Sequence, residues 1–233
     1  MSTAVLISGG LDSAVLLAEE AARARTPDDV QPIYVKVGLA WERAEETAVH
    51  QLLAAGPLAG RTRPLVSLVV DMSDVYAPTN WAVRGTPPAY HAADETVYLP
   101  GRNIVLFSKA GVYCAAARIG RVVAGTLKHN PFPDATPAFR AAMAEALTLG
   151  LAHPLTIDAP YADVEKREVI RRGRALGVPF NLTLSCMGPI GARHCGVCNK
   201  CRERHDAFVD AGIEDTTDYA KREYVAERTS RSL

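Results

Sequence analysis

The chain has 233 residues, 48% of them apolar, and its 26 basic and 26 acidic side chains cancel to zero formal charge. That balance carries no global sign of a nucleic-acid or membrane partner, and neither is expected. No leader-like start and no apolar run of about 18 residues is present, which predicts a soluble, cytoplasmic protein able to bury its own core.

The first apolar run, Ala4-Val5-Leu6-Ile7, predicts a buried strand, and the alanine- and leucine-rich stretch from Ala14 to Arg25 predicts a helix. Between them lies Ser8-Gly9-Gly10-Leu11-Asp12-Ser13. Paired glycines free the main chain and expose its N–H groups, and Ser13 is expected to cap the helix. The positive end of the helix dipole then makes this junction a seat for phosphate. The loop lacks the Gly-Lys-Ser/Thr ending of nucleotide triphosphatases and the three spaced glycines of dinucleotide folds. Spacing alone also leaves open an unliganded glycine turn.

Pro32 to Gly38 reads as a second strand, Glu42 to Leu53 as an amphipathic helix, and Leu65 to Val70 as a third strand. Strands alternating with helices predict an α/β fold, a doubly wound and mostly parallel sheet of about five strands, with ligands at the strands' carboxyl ends. Residues 72–97 break the rhythm with Pro78, Gly85, Pro87, Pro88, Trp81 and Tyr90, and predict a partly ordered lid. Tyr98-Leu99-Pro100-Gly101-Arg102-Asn103 leads into an apolar helix through Ile119, in which Cys114 is a core residue and Asn103 a candidate cap.

Arg121 to Ala124 predicts a fourth strand ending at Gly125-Thr126, followed by a loop with Lys128, His129, Asn130, Phe132 and Asp134. Thr136 and Pro137 suit the N-cap and first position of a helix to Leu149. Leu155 to Ile157 is the fifth strand, and Asp163 to Leu176 a helix stopped by Gly177.

The composition changes after residue 180, where Cys186, Cys195, Cys198 and Cys201 follow a Cys-x8-Cys-x2-Cys-x2-Cys spacing. Two-residue gaps let a turn aim thiolates at one point, and four thiolates close the tetrahedron that Zn2+ favours. A structural zinc is therefore expected, with disulfides or an iron–sulfur cluster as alternatives. His194 is expected at the surface or behind the ligands, and the charged stretch from Asp215 to Leu233 as a loosely packed tail. The division is residues 1–180 for the nucleotide domain and 181–233 for the metal-binding segment with a helical tail.

Ser8–Ser13 resembles the Ser-Gly-Gly-x-Asp-Ser loop of the ATP pyrophosphatase, or PP-loop, superfamily, whose fold is the adenine nucleotide alpha hydrolase type. Together with Pro100-Gly101-Arg102-Asn103, Gly125-Thr126, Pro133-Asp134, Pro137, Phe139, Lys166, Glu168 and the spaced cysteines, it makes the chain similar to the 7-cyano-7-deazaguanine synthase family of queuosine precursor biosynthesis. The similarity runs from about Ala4 to Phe208. It implies an ATP-dependent C–N ligase that adenylates 7-carboxy-7-deazaguanine, admits ammonia, and dehydrates the amide with a second ATP, releasing AMP and pyrophosphate.

It further implies ATP, with Mg2+, on Ser8, Gly9, Gly10, Leu11, Asp12, Ser13 and Gly125. Arg102 and Lys166 would stabilise the departing pyrophosphate and Asp12 would stand on the Mg2+ side, while Asn103, Thr126, Phe132 and Asp134 would hold the carboxylate substrate. A homodimer is implied by the family alone. The family's Asp-Tyr-Gly-Gln-Arg-His is replaced here by Lys36-Val37-Gly38-Leu39-Ala40-Trp41. With a shorter loop after Gly125 and Ala135 in place of the family's cysteine, this implies either compensation from Lys128, His129 and Asn130 or a different carboxylate substrate. The alternatives to the ligase are a PP-loop enzyme adenylating another acid or base and a zinc-stabilised nucleotide-binding protein without turnover.

Overall fold

The computed structural model describes residues 2–224. Five strands, β1 (Thr3–Leu6), β2 (Val30–Lys36), β3 (Val66–Val69), β4 (Arg121–Val123) and β5 (Thr156–Asp158), form one sheet in the order β3-β2-β1-β4-β5. Every pairing is parallel. β1 and β2 are nearly continuous apolar runs because helices cover the sheet on both faces. Successive side chains alternate between two cores, Val5 and Tyr34 in one, Ala4 and Ile33 in the other.

The first core takes α1 (Leu11–Arg23), α2 (Glu42–Leu53), α6 (Lys166–Ala175) and α7 (Asn199–Ala211); the second takes α4 (Arg102–Ala117) and α5 (Pro137–Leu151). This is the doubly wound α/β arrangement that the alternation predicts. The chain steps outward from β1 to β3, then returns to lay β4 on the other side of β1. The crevice between the ends of β1 and β4 is thus the switch point where such sheets bind ligands.

Residues 72–97 carry local structure and buried anchors. A short helix, α3 (Trp81–Arg84), is capped by the Asn80 side chain, and Tyr76, Ala82, Tyr90 and Val97 are buried. Trp81 stacks on Trp41 with ring centroids 5.5 Å apart and planes 6° from parallel. The Ala40 N–H donates to the Ala82 carbonyl beside them.

Four local expectations are corrected. Gly10, not Ser13, is the N-cap of α1, which begins at Leu11 and leaves Ser13 inside its first turn. Asn103 does not cap α4, because Gly101 occupies that position at φ +77°. α6 starts at Lys166 rather than Asp163, since buried Tyr161 and the Val164 N–H to Tyr161 carbonyl bond hold a turn there and Glu165 is extended.

The charged tail is also pinned as far as it is described. Fully buried Arg204 donates to Thr217 Oγ1 at 2.5 Å, Thr183 Oγ1 at 2.8 Å and the Phe180 carbonyl at 2.8 Å, while the Tyr219 hydroxyl donates to Asp215 at 2.7 Å. A buried guanidinium demands such partners, and the tail supplies them. The rest of that predicted tail, 225–233, lies outside the described residues. Among the described residues no helix is long and apolar enough to cross a membrane.

Candidate active site

The chain leaves β1 and turns sharply at Gly9, whose φ of +78° favours glycine. A Cβ on Gly9 would lie 3.2 Å from the Glu45 carbonyl of α2. Ser13 staples the loop instead of capping the helix: its Oγ accepts from the Ser8 N–H at 3.2 Å and donates to the Gly10 carbonyl at 3.1 Å. The N–H groups of Leu11, Asp12 and Ser13 occupy the first turn of α1, where no intrahelical acceptor exists. From the other side Gly125 presses so close that a Cβ there would meet the Asp12 and Ser13 backbone at 3.2 Å. The ends of β1 and β4 therefore converge on one anion-binding corner.

A cleft of about 270 Å³ opens at this corner. It brings together Ser8, Gly10, Asp12, Ser13, Arg102, Asn103, Gly125, Thr126, Phe132 and Asp134, residues that the sequence singles out from four separate stretches. Gly9 faces α2, and Leu11 is buried beneath the loop. Three buried polar atoms of cleft residues have no hydrogen-bond partner: Asp12 Oδ1, Arg102 Nε and Asp134 Oδ1. Such orphans are costly unless a ligand completes them.

The far wall is built by Asn103 and Asp134. The Asn103 N–H donates to Asp134 Oδ2 at 3.1 Å, and its side-chain amide to the Asp134 carbonyl at 3.0 Å. Tyr98, which carries no motif signal beyond its place before Pro100-Gly101, stacks on Phe132 with centroids 5.0 Å apart. Both rings line the cleft and suit a planar ring system.

Lys166 stands behind Asp12 rather than in the cleft. Its Nζ lies 3.2 Å from Asp12 Oδ2 and also contacts Glu203 Oε1, and Lys200 contacts the second oxygen of Glu203 at 2.5 Å. Burial opposes the Lys166 charge, but Asp12 and Glu203 raise its pKa overall. Burial raises the Asp12 carboxyl, partly offset by Lys166. Glu203 is lowered, because Lys166 and Lys200 overcome its burial. The sequence pattern gives no sign of Glu203, which looks like one charge among several on α7.

Under the loop, buried Glu45 is pushed up to about 7 by desolvation, against the pull of Arg102. The Tyr34 hydroxyl donates to Glu45 Oε2 at 3.0 Å. The residues that depart from the resembled family lie outside the cleft. Leu39 and Trp41 are core residues, and Lys36 pairs with Glu46 at 2.8 Å. Lys128 and His129 are held by Glu165 at 2.9 and 3.3 Å, whereas Asn130 does line the cleft.

The four clustered cysteines are all buried, and their sulfurs lie within 4.8 Å of one another. Adjacent Sγ pairs are 3.9 Å (Cys186–Cys198), 3.8 Å (Cys195–Cys201) and 3.5 Å (Cys198–Cys201) apart. A tetrahedron with metal–sulfur bonds of about 2.3 Å has edges of about 3.8 Å, so the sulfurs fit a single ion. A cubane cluster binds each thiolate to a different iron and needs a wider cage. Backbone N–H groups of Gly188, Cys195, Gly196 and Val197 point at the sulfurs from 3.2 to 3.5 Å, as anionic thiolates require.

No disulfide joins any described cysteine, and Cys114 is buried in α4 with its thiol pushed up to about 12 by desolvation. His194 is buried rather than at the surface. Its Nε2 accepts from the Ser185 N–H at 3.0 Å, and burial lowers its pKa to about 3, so it braces the loop as a neutral ring.

Comparison with known proteins identifies the family of the chain. A family model described as queuosine biosynthesis protein QueC matches residues 2–212. A 7-cyano-7-deazaguanine synthase from Anaeromyxobacter dehalogenans (strain 2CP-C) is 33% identical over 226 residues, spanning 93% of this chain and 95% of that one. One of the same name from Azoarcus sp. (strain BH72) is 33% identical over 226 residues, with 94% and 96% covered. Among solved structures, a 4-thiouridine synthetase–RNA complex with bound ATP is a distant likeness, 14% identical with a TM-score of 0.47, covering 91% of this chain and 51% of that one. With the QueC model matching residues 2–212 of this chain and relatives a third identical over nearly their whole length, the chain belongs to the queuosine biosynthesis protein QueC family.

Proposed function

We propose that the chain is an ATP-dependent ligase that converts 7-carboxy-7-deazaguanine and ammonia into 7-cyano-7-deazaguanine. Its relatives bear the name of that reaction, and the cleft carries the matching chemistry. The observation that carries the reading is the meeting of three orphaned polar atoms, Asp12 Oδ1, Arg102 Nε and Asp134 Oδ1, beside the glycine loop.

In this reading the Ser8–Ser13 amides hold the outer phosphates of ATP while the substrate carboxylate attacks the innermost. The P–O bond to pyrophosphate breaks, and Arg102 with the first-turn N–H groups of α1 stabilises the departing charge. Ammonia displaces AMP from the acyl adenylate to give the amide. A second ATP activates the amide oxygen, and loss of AMP and a proton leaves the nitrile.

Asp134 would accept from an N–H edge of the base, and the stacked pair of Tyr98 and Phe132 offers an aromatic surface against which the ring plane packs. Asp12 is the carboxylate that would hold Mg2+, which would share the phosphate charge. The closed thiolate tetrahedron favours Zn2+ as a structural ion, with no position left for substrate.

The test combines the protein with ATP, Mg2+, ammonia and 7-carboxy-7-deazaguanine. AMP and the nitrile are the expected products, and ADP, or no turnover, rejects the proposal.

A further inference from the structure

α7 begins directly after Cys198, carries Cys201 in its first turn, and points Glu203 back across α6 at the ammonium of Lys166. Lys166 is also 3.2 Å from Asp12, a residue that lines the cleft and whose other oxygen is buried without a partner. Lys200, one helical turn from Glu203, neutralises its second oxygen. The result is a row of alternating charges, Asp12, Lys166, Glu203 and Lys200, running from the glycine loop to the cysteine cluster. Lys166 is only 17% exposed and Glu203 25%, so water screens the row weakly.

We propose that Glu203 is a positioning residue for ATP cleavage: it anchors Lys166 from the metal side, so that Asp12 keeps one oxygen turned to the cleft. A lysine side chain has four rotatable bonds and binds as a point charge, so a single carboxylate fixes its distance but not its direction. Two carboxylates on opposite sides fix both. Were Asp12 the sole partner, the ammonium would be free to swing toward its second oxygen and withdraw that oxygen from the cleft. The metal-bound helix thereby sets the geometry of the phosphate loop without touching ATP. This inference rests on the ligase reading for its kinetic arm only.

The test compares Glu203→Gln, which keeps shape and loses charge, with the unchanged metal-loaded protein. The kinetic arm follows AMP release at varied ATP. A misplaced group is expected to lower kcat about 10-fold or more, with KM for ATP within about threefold because the loop amides remain. The second arm needs no turnover: acylation of Lys166 by an amine-directed reagent, read by mass spectrometry, is expected to accelerate about fivefold or more as the lysine is released. If kcat and Lys166 labelling both stay within about twofold while only the melting temperature falls, Glu203 is a structural ion-pair partner and the proposal is overturned. If the unchanged protein releases no AMP, the ligase reading fails, and the labelling arm still decides the role of Glu203.

Discussion

The carbonyl of Gly9 accepts a 2.7 Å hydrogen bond from the N–H of Leu184, two residues before Cys186. The phosphate loop and the cysteine segment are therefore fastened directly, peptide to peptide. Loss of the metal should loosen both. Cys198→Ser removes one of four ligands and is expected to lower the melting temperature by about 10 °C or more, using 2–4 °C per kcal/mol for a domain of this size. ATP binding should weaken in the same protein. Calorimetry with and without nucleotide checks both, and an unchanged melting temperature would contradict a structural metal.

Gly9→Ala meets two obstacles together, a φ of +78° and a Cβ 3.2 Å from the Glu45 carbonyl. A left-handed non-glycine residue costs about 1–2 kcal/mol, and relief by backbone movement would displace the loop amides. Urea denaturation should show that loss, with a raised KM for ATP in turnover assays.

Asp134→Asn keeps the size of the side chain while turning an acceptor into a mixed donor and acceptor. Asp134 lines the cleft, its Oδ1 is buried without a partner, and its Oδ2 holds the Asn103 N–H. The expected effect is a rise of about 10–100-fold in KM for the carboxylate substrate, as one unpaired polar contact costs 1–3 kcal/mol, with KM for ATP nearly unchanged. Steady-state kinetics with each substrate varied in turn separates the two.

Glu45 gives the fold a pH dependence with a defined sign. Its pKa is raised by burial from an ordinary 4.5 to about 7, so the folded chain binds a proton that the unfolded chain releases between those values. The stabilisation is fully present below about 4.5, falls as pH rises, and is gone above about 7, amounting to about 3 kcal/mol. Glu45→Gln should remove this slope and gain stability relative to the unchanged protein at pH 8. Denaturant titrations of both proteins at pH 5.5 and 8 provide the comparison, and parallel pH profiles would refute it.

The sheet was legible because its signals are local. Apolar runs such as Ala4–Ile7 and the alternation of strand with helix need no knowledge of distant contacts, and α2 and the Thr136–Pro137 cap of α5 follow the sequence pattern directly. The glycine loop, Arg102, Asn103 and Asp134 carry recognisable motifs and meet in one cleft. Glu203 and Glu45 lack such a signal, since their meaning comes from a lysine 37 residues away in one case and from burial under the loop in the other. The start of α6 departs from the sequence pattern for a related reason: Tyr161 is held by tertiary burial, which overrides the helical pattern of the residues after it. Irregular composition likewise hid how firmly residues 72–97 pack, because their anchors, Trp81 on Trp41 and Arg202 on the Tyr90 and Ala92 carbonyls, join distant parts of the chain.

The stacked indoles of Trp41 and Trp81 are the chain's only two tryptophans. Ultraviolet emission excited at the red edge of absorption consequently originates from one spot, where the segment after β3 rests against the start of α2. The protein carries a built-in optical gauge of that junction. Any rearrangement that separates the rings as substrates enter would register as a change in intensity or colour without an added dye.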